Sequence, residues 1–212
     1  MKIKKSTVLY WFAAVLPFLI SAAFYARVPE QIAIHWNANG IADGYSSKAF
    51  ALFGLPAMML AVTILINVML KIDPRRQNID RSPQMKQTAL WLIVILDNIL
   101  DVLIILYALN VRFNMSMAVI SIVGIGIALI GNYLPKCKFN YTMGIRVPWT
   151  LASEDNWRKT HRMAGPVWVA GGILILLSGL LNQIWMLYVA MILLILIPII
   201  YSYMLSTREN RQ

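Results

Sequence analysis

Residues 131–165 read GNYLPKCKFNYTMGIRVPWTLASEDNWRKTHRMAG, and this is the longest polar interval in a chain that is otherwise mostly apolar. It carries Lys136, Lys138, Arg146, Arg158, Lys159 and Arg162 against only Glu154 and Asp155. It also concentrates residues with strong structural or chemical preferences: Pro135, Gly144, Pro148, Trp149, Trp157 and His161. Apolar segments flank it on both sides. They predict that the interval is a loop held at a membrane surface, with the rest of the chain supporting it.

Composition agrees. Of 212 residues, 59% are hydrophobic and 13% charged, whereas a soluble domain has about 25% charged residues. Long apolar runs with charges confined to short intervals describe a polytopic helical membrane protein. The excess of 19 Lys and Arg over 9 Asp and Glu fits cytosolic loops facing anionic lipid better than it fits direct nucleic-acid binding. A single cysteine, Cys137, permits no internal disulfide and no thiolate metal cage. It is expected as a reduced thiol at the cytosolic edge, and no cofactor is expected.

Six spans follow, at about 6–26, 49–70, 88–109, 115–133, 166–181 and 185–205. A run of about 20 residues at 1.5 Å rise covers a hydrocarbon core of about 30 Å. The first span has a basic start and Ser21-Ala22-Ala23, features shared with signal peptides, but its uninterrupted apolar length predicts a retained helix. Only Arg27, Lys48 and Arg112 fall on one side of this layout, and the other 16 basic residues fall on the opposite side. The positive-inside rule therefore predicts that both termini and the loops 71–86 and 131–165 are cytosolic.

The first outer loop, 27–48, has zero net charge. Ile32, Ile34 and Trp36 alternate with Gln31, Ala33 and His35, which predicts a short strand. Asn37-Ala38-Asn39-Gly40 is turn chemistry, and Asp43-Gly44 suggests a second turn. A small folded cap over the outer mouth of the bundle is expected. The loop 71–86, with two prolines, reads as a solvated, lipid-facing connector.

Asp97 and Asp101 lie one turn apart on one face of the third span. A carboxylate there costs about 2.5–3.5 kcal/mol on insertion scales. Two readings stand level: a functional one, as a proton or cation site or a polar patch that engages a ligand, and a structural one, as a buried hydrogen-bonding network that locks helices together. Gly124 and Gly126 in the fourth span, and Gly171 and Gly172 in the fifth, predict close helix approach without forming a GxxxG pair.

Within 131–165, Pro148 disfavours helix at Val147, and Arg146 lies close enough to Trp149 for a cation–π contact. A short helix is predicted from Leu151, capped by Thr150 or Ser153. Glu154 and Asp155 fall in its first turn, and Lys159, His161 and Arg162 in its last. Trp157, His161 and Ala164 share one face, so that helix reads as lying in the interface, either as a headgroup anchor or as a docking surface. His35 and His161 are the only histidines and are predicted on opposite sides of the membrane. No HExxH, CxxC, GxSxG or P-loop pattern occurs, so the sequence makes no positive case for an enzyme.

The run Gly131-Asn132, Leu134-Pro135-Lys136, Asn140, Gly144-Ile145-Arg146, Pro148-Trp149-Thr150-Leu151, Trp157, Thr160-His161 and Gly165 resembles the signature of the SdpI-like membrane proteins. That family is named for a bacterial immunity protein against a sporulation-delaying killing peptide. The outer loop Val28-Pro29-Glu30-Gln31-Ile32, Ile34-His35-Trp36-Asn37, Gly40, Asp43-Gly44-Tyr45 and Ser47-Lys48 is similar to the extracytosolic motif that often precedes it. The departures are Val147, where Thr is usual, and Ala33, where Pro is common. The resemblance implies an all-α, six-helix protein of the bacterial cell membrane in two parts. Residues 1–70 would form a first helical hairpin with the loop motif 27–48. Residues 71–212 would form a four-helix SdpI-like region with the cytosolic loop 131–165.

It also implies two activities: protection against a membrane-active killing peptide on the extracytosolic side, and signalling in which the membrane protein holds a cytosolic winged-helix repressor. Carried over by motif, the inner-face residues are Asn132, Pro135, Lys136, Asn140, Gly144, Arg146, Pro148, Trp149, Thr150, Trp157 and His161. The outer-face residues are His35, Trp36, Asn37, Gly40, Asp43 and Gly44. Each of these also fits a structural role. The competing reading is a small ion-coupled transporter using Asp97 and Asp101, and a membrane enzyme ranks last.

Overall fold

The computed structural model describes residues 5–209. Lys2, Lys4 and Arg211, which contribute to the charge asymmetry, lie outside them. In order, the elements are α1 (Lys5–Phe24), β1 (Gln31–Trp36), β2 (Ala42–Ser47), α2 (Leu55–Ile72), α3 (Arg76–Asp80), α4 (Pro83–Ala108), α5 (Met115–Tyr133), α6 (Pro148–Ala152), α7 (Glu154–Leu181) and α8 (Ile184–Glu209). A π-helical turn, Phe50–Gly54, leads into α2, and a 3₁₀ turn, Leu134–Lys136, closes α5. Six helical segments are long and apolar enough to cross a membrane: Lys5–Phe24, Phe50–Ile72, Pro83–Ala108, Met115–Lys136, Glu154–Leu181 and Ile184–Arg208. Large apolar side chains such as Leu9, Phe12, Leu65, Ile192 and Ile200 point outward from these helices. In water they would be a liability, but against acyl chains they are at home.

The chain divides into two compact units, 1–67 with 90–119, and 68–89 with 120–212. In the first, Val28, Ile32, Ala51, Leu52 and Ile105 form a core under the β-hairpin. Tyr10 and Ala14 of α1 pack on Val94 of α4. The predicted strand is present, and β2 pairs with it antiparallel, from Gln31 opposite Ser47 to Trp36 opposite Ala42. The expected turn at Asn37–Gly40 is also present. Asn37 Oδ1 accepts the N–H groups of Asn39 and Ile41 at 2.9 and 3.1 Å. Asp43-Gly44 is not a second turn, because both residues lie inside β2. The ladder is irregular on either side of His35, and that irregularity absorbs the turn-forming pair.

In the second unit, α5 and α7 approach until backbone meets backbone. A Cβ on Gly124 would strike the Leu176 amide and the Gly172 carbonyl, and one on Gly172 would strike Ala128 and the Gly124 carbonyl. Without side chains at these points the helices gain dispersion contact along their whole crossing. Ile175 of α7 packs with Ala190 and Leu194 of α8 in the core of this unit.

The expected break between a surface helix and the fifth span does not occur at Pro166. Helix α7 runs unbroken through it. The interruption falls instead at Ser153, which is extended (φ −138°, ψ 120°) and accepts the Asn156 N–H on its hydroxyl at 3.2 Å. Pro166 is tolerated because the preceding residue, Gly165, offers no Cβ to its ring, and the carbonyl it leaves unbonded belongs to Arg162, on the exposed side of the helix.

Substituting Gly124→Ala is expected to cost about 1–3 kcal/mol by overpacking. Gly126→Ala, at a position only half-buried where Gly124 is buried, is expected to cost little. Thermal unfolding of the two variants in detergent checks this.

Candidate functional site

The segment 137–147 has almost no regular structure, yet Cys137, Phe139, Asn140 and Met143 are buried. Backbone groups removed from water need partners, and here side chains supply them. Asn140, fully buried, accepts the Thr142 and Met143 N–H groups on Oδ1 at 2.9 and 2.6 Å and donates Nδ2 to the Lys138 carbonyl at 2.8 Å. Thr150 Oγ1 accepts the Val147 N–H at 3.1 Å and donates to the Ile145 carbonyl at 2.8 Å.

His161 takes the Ile145 N–H on Nε2 at 2.9 Å. Nε2 must therefore be unprotonated, so Nδ1 carries the hydrogen and donates to the Trp157 carbonyl at 2.8 Å. With both nitrogens committed to backbone, this imidazole is positioned as a structural acceptor and not as a free base. Its ring stacks on Trp157, centroids 4.0 Å apart, and Trp157 Nε1 donates to the Cys137 carbonyl at 2.8 Å. Gly144 has φ 104° and lies where a Cβ would strike His161 Nε2 and the Trp157 ring, so both its conformation and its space demand glycine.

The face that Trp157, His161 and Ala164 share is thus turned into the protein, each residue 0–1% exposed. It does not lie in the membrane interface as its amphipathic pattern suggested. Arg146 and Trp149 also part ways. Arg146 Nη1 donates to the Tyr141 carbonyl at 2.7 Å, while Trp149 Nε1 donates to Ser202 Oγ on α8 and its ring meets Tyr203 edge-on. Pro148 is the first residue of α6, Pro135 packs on Gly165, and Lys136 lies over the Tyr133 ring. Among the eleven inner-motif residues, Asn132, Pro135, Lys136, Arg146 and Pro148 remain exposed.

The loop 71–86 is a structural wall of this site and not merely a solvated connector. Asp73, 6% exposed, accepts the Arg75 N–H on Oδ1 at 2.7 Å, and on Oδ2 the Tyr141 N–H at 2.9 Å and the Thr142 hydroxyl at 2.6 Å. Asn78 Nδ2 donates to the Phe139 carbonyl at 2.8 Å, and Ser82 Oγ accepts the Lys138 N–H at 3.0 Å. Ile79 is fully buried beneath them. Asp73-Pro74 carries the local signal of an Asx-turn. Nothing local says that the other carboxylate oxygen reaches a segment almost 70 residues away. Asn156 is a further residue outside the motif list: it donates Nδ2 to the Ser202 carbonyl at 2.9 Å and joins α7 to α8.

Of the six outer-face residues carried over by motif, His35 and Asp43 present polar side chains outward, bonded to each other across the hairpin. Trp36 packs edge-on against Tyr107 with centroids 5.1 Å apart. The Asn37 carbonyl accepts the Ser116 hydroxyl at 2.9 Å. Gly40 supplies a positive φ of 76°, and Gly44 leaves room for the His35 side chain.

Asp97 and Asp101 are 6% and 4% exposed, and Asp101 faces α1. Ser21 donates to Asp101 Oδ1 at 2.9 Å, and Asn98 donates to the Ala13 carbonyl at 2.9 Å. Among the described residues, Asp101 Oδ2 finds no hydrogen-bond partner. Among the described residues, no three or more His, Cys, Asp or Glu side chains converge as a metal site would require.

Residues 136–202 match a family model described as the SdpI/YfhL protein family, and residues 12–60 match a domain of unknown function, DUF1648. The chain is 30% identical over 195 residues to the immunity protein SdpI of Bacillus subtilis (strain 168), an alignment covering 90% of this chain and 89% of that protein. No solved structure is significantly similar.

Two outcomes follow from the loop geometry. His161→Ala leaves the Ile145 N–H without an acceptor and empties a packed site. It is expected to cost about 3 kcal/mol, read as a lowered melting temperature with faster hydrogen exchange at the Ile145 amide. Burial pushes the Cys137 thiol up to about 11, so at pH 8 only about one molecule in a thousand carries the reactive thiolate. Iodoacetamide, followed by intact-mass measurement, should label the folded protein slowly and the unfolded protein rapidly, with the folded rate rising as pH climbs toward 11.

Proposed function

This chain belongs to the SdpI/YfhL protein family, and on that premise we propose that it is a membrane immunity protein protecting its cell against a membrane-active killing peptide. It is a multi-pass protein of the bacterial cell membrane. The observation that carries the proposal is the relationship to the B. subtilis immunity protein across nine-tenths of the chain.

The geometry supports a division of labour. The uneven placement of Lys and Arg orients both termini and the loop 131–165 toward the cytosol. The β-hairpin, with His35 and Asp43 outward, then faces the side from which a peptide arrives. The cytosolic loop, rigid and basic, displays Arg146 and Pro148 to a soluble partner, and a winged-helix repressor held there would couple immunity to gene expression. Lipid is the surrounding solvent, and nucleic acid is not contacted directly. The relationship to an immunity protein supports a role in binding and not in catalysis.

The unpartnered Asp101 Oδ2 favours one second reading, an ion-coupled exporter that uses Asp97 and Asp101. On that reading, conservative Asp97→Asn and Asp101→Asn variants abolish activity, and collapse of the proton gradient does the same to the native chain.

The deciding experiment is survival of a sensitive bacterium challenged with the killing peptide while expressing the native chain or Arg146→Ala at matched membrane levels. The native chain is expected to raise the peptide dose for half-survival about tenfold or more, and Arg146→Ala to remove most of that gain. Protection retained in Arg146→Ala removes the exposed guanidinium from the immunity mechanism. No protection from well-expressed native chain overturns the proposal.

A further inference from the structure

A groove of about 660 Å³ opens between the loop 71–86 and the segment 135–139. Its floor is apolar, made by Pro135, Phe139 and the edge of Trp157, and its rim is basic, with Arg81, Lys136, Lys138 and Arg158. Glu154 is the one acid on the rim, and it is drawn to Arg75 at 3.6 Å. Arg158 is held by Asp155. Among the described residues, Arg81, Lys136 and Lys138 make no ion pair, so the groove is lined by four basic side chains against one acid, Glu154.

The position of the groove narrows the ligand. Lys136 ends one membrane-spanning segment, Gln84 lies at the start of another, and Glu154 and Arg158 lie in the first turns of a third. Lys136 and Gln84 each lie within about one turn of an apolar run, at headgroup level, and Glu154 and Arg158 extend α7 beyond that level into water. A ligand at that depth that is anionic at one end and apolar at the other is a phospholipid. Its phosphate diester would meet the ammonium and guanidinium donors at the rim, and its glycerol and first methylenes would lie on the aromatic floor.

We propose that this groove is a specific site for the phosphate of an anionic lipid headgroup. Occupancy would brace the loop 71–86 against the segment 135–139 from outside, as Asn78 and Ser82 brace it from within. The site is separate from Arg146 and does not depend on the immunity reading.

The test is calorimetric titration of the detergent-solubilised full-length protein with dihexanoyl-phosphatidylglycerol, dihexanoyl-phosphatidylcholine, sn-glycerol 3-phosphate and an oligoglutamate peptide. The phosphatidylglycerol is expected to bind saturably and about tenfold tighter than the phosphatidylcholine. Arg81→Gln, Lys136→Gln and Lys138→Gln, all at exposed residues, are each expected to weaken it about fivefold, the worth of one basic residue at an anionic surface. Lys71→Gln and Arg162→Gln, outside the groove, should leave it unchanged, and unchanged elution on size exclusion shows that the variants fold. Equal binding of the two lipids, absence of saturation, or equal losses in the groove and control variants overturns the site. Glycerol phosphate binding as tightly as the lipid reassigns the groove to free phosphate esters and overturns the lipid source. Tighter binding of the peptide overturns it in favour of an acidic protein partner.

Discussion

Six backbone N–H groups between Lys138 and Val147 find their acceptors on side chains: Ser82 for Lys138, Asp73 for Tyr141, Asn140 for Thr142 and Met143, His161 for Ile145, and Thr150 for Val147. The rest of the site depends on this substitution of side chains for a regular ladder. A segment with Pro148 ahead of it and Gly144 at φ 104° cannot form helix or strand, and a buried N–H without a partner costs on the order of 1–3 kcal/mol. The loop holds one conformation because the acceptors come from four places: the loop itself, the polar connector 71–86, α6 and α7.

This arrangement separates support from display. His161, Asn140 and Thr150 are consumed in holding the loop, and Trp157, its indole N–H committed to the Cys137 carbonyl, offers a ligand only a ring edge. Arg146, Pro148 and Lys136 remain in solvent on a fixed backbone. A surface for binding a partner benefits from such preorganisation, because little conformational entropy is then lost on association. The β-hairpin repeats the pattern on a smaller scale. Asn37, Gly40 and Trp36 build it, and His35 and Asp43 are what it shows.

The two motifs that resemble the SdpI-like proteins contain both the side chains that hold irregular backbone in place and those left exposed, and the resemblance does not tell the two apart. Motif residues stand out equally whether they contact a ligand or a neighbouring amide, since both duties demand a fixed side chain. Asp73 illustrates the converse. It falls outside the motifs and inside a stretch that reads as solvated, yet it is 6% exposed and accepts three hydrogen bonds.

What the sequence determines by itself is whatever depends on neighbours along the chain. The six apolar runs are legible because crossing hydrocarbon is a matter of length and hydropathy. The strand at Gln31–Trp36, the turn at Asn37–Gly40 and a cap at Thr150 or Ser153 are legible because alternation, turn chemistry and capping act within a few residues. Tertiary structure decided the rest. It made one helix of 154–181, turned the Trp157 and His161 face inward, and brought Asp73 to Tyr141, because these outcomes depend on which distant groups reach a backbone N–H first. The close crossing at Gly124 and Gly172 belongs to both levels. Composition announces that close approach is possible, and only the packing of α5 on α7 selects Gly124 and passes over Gly126.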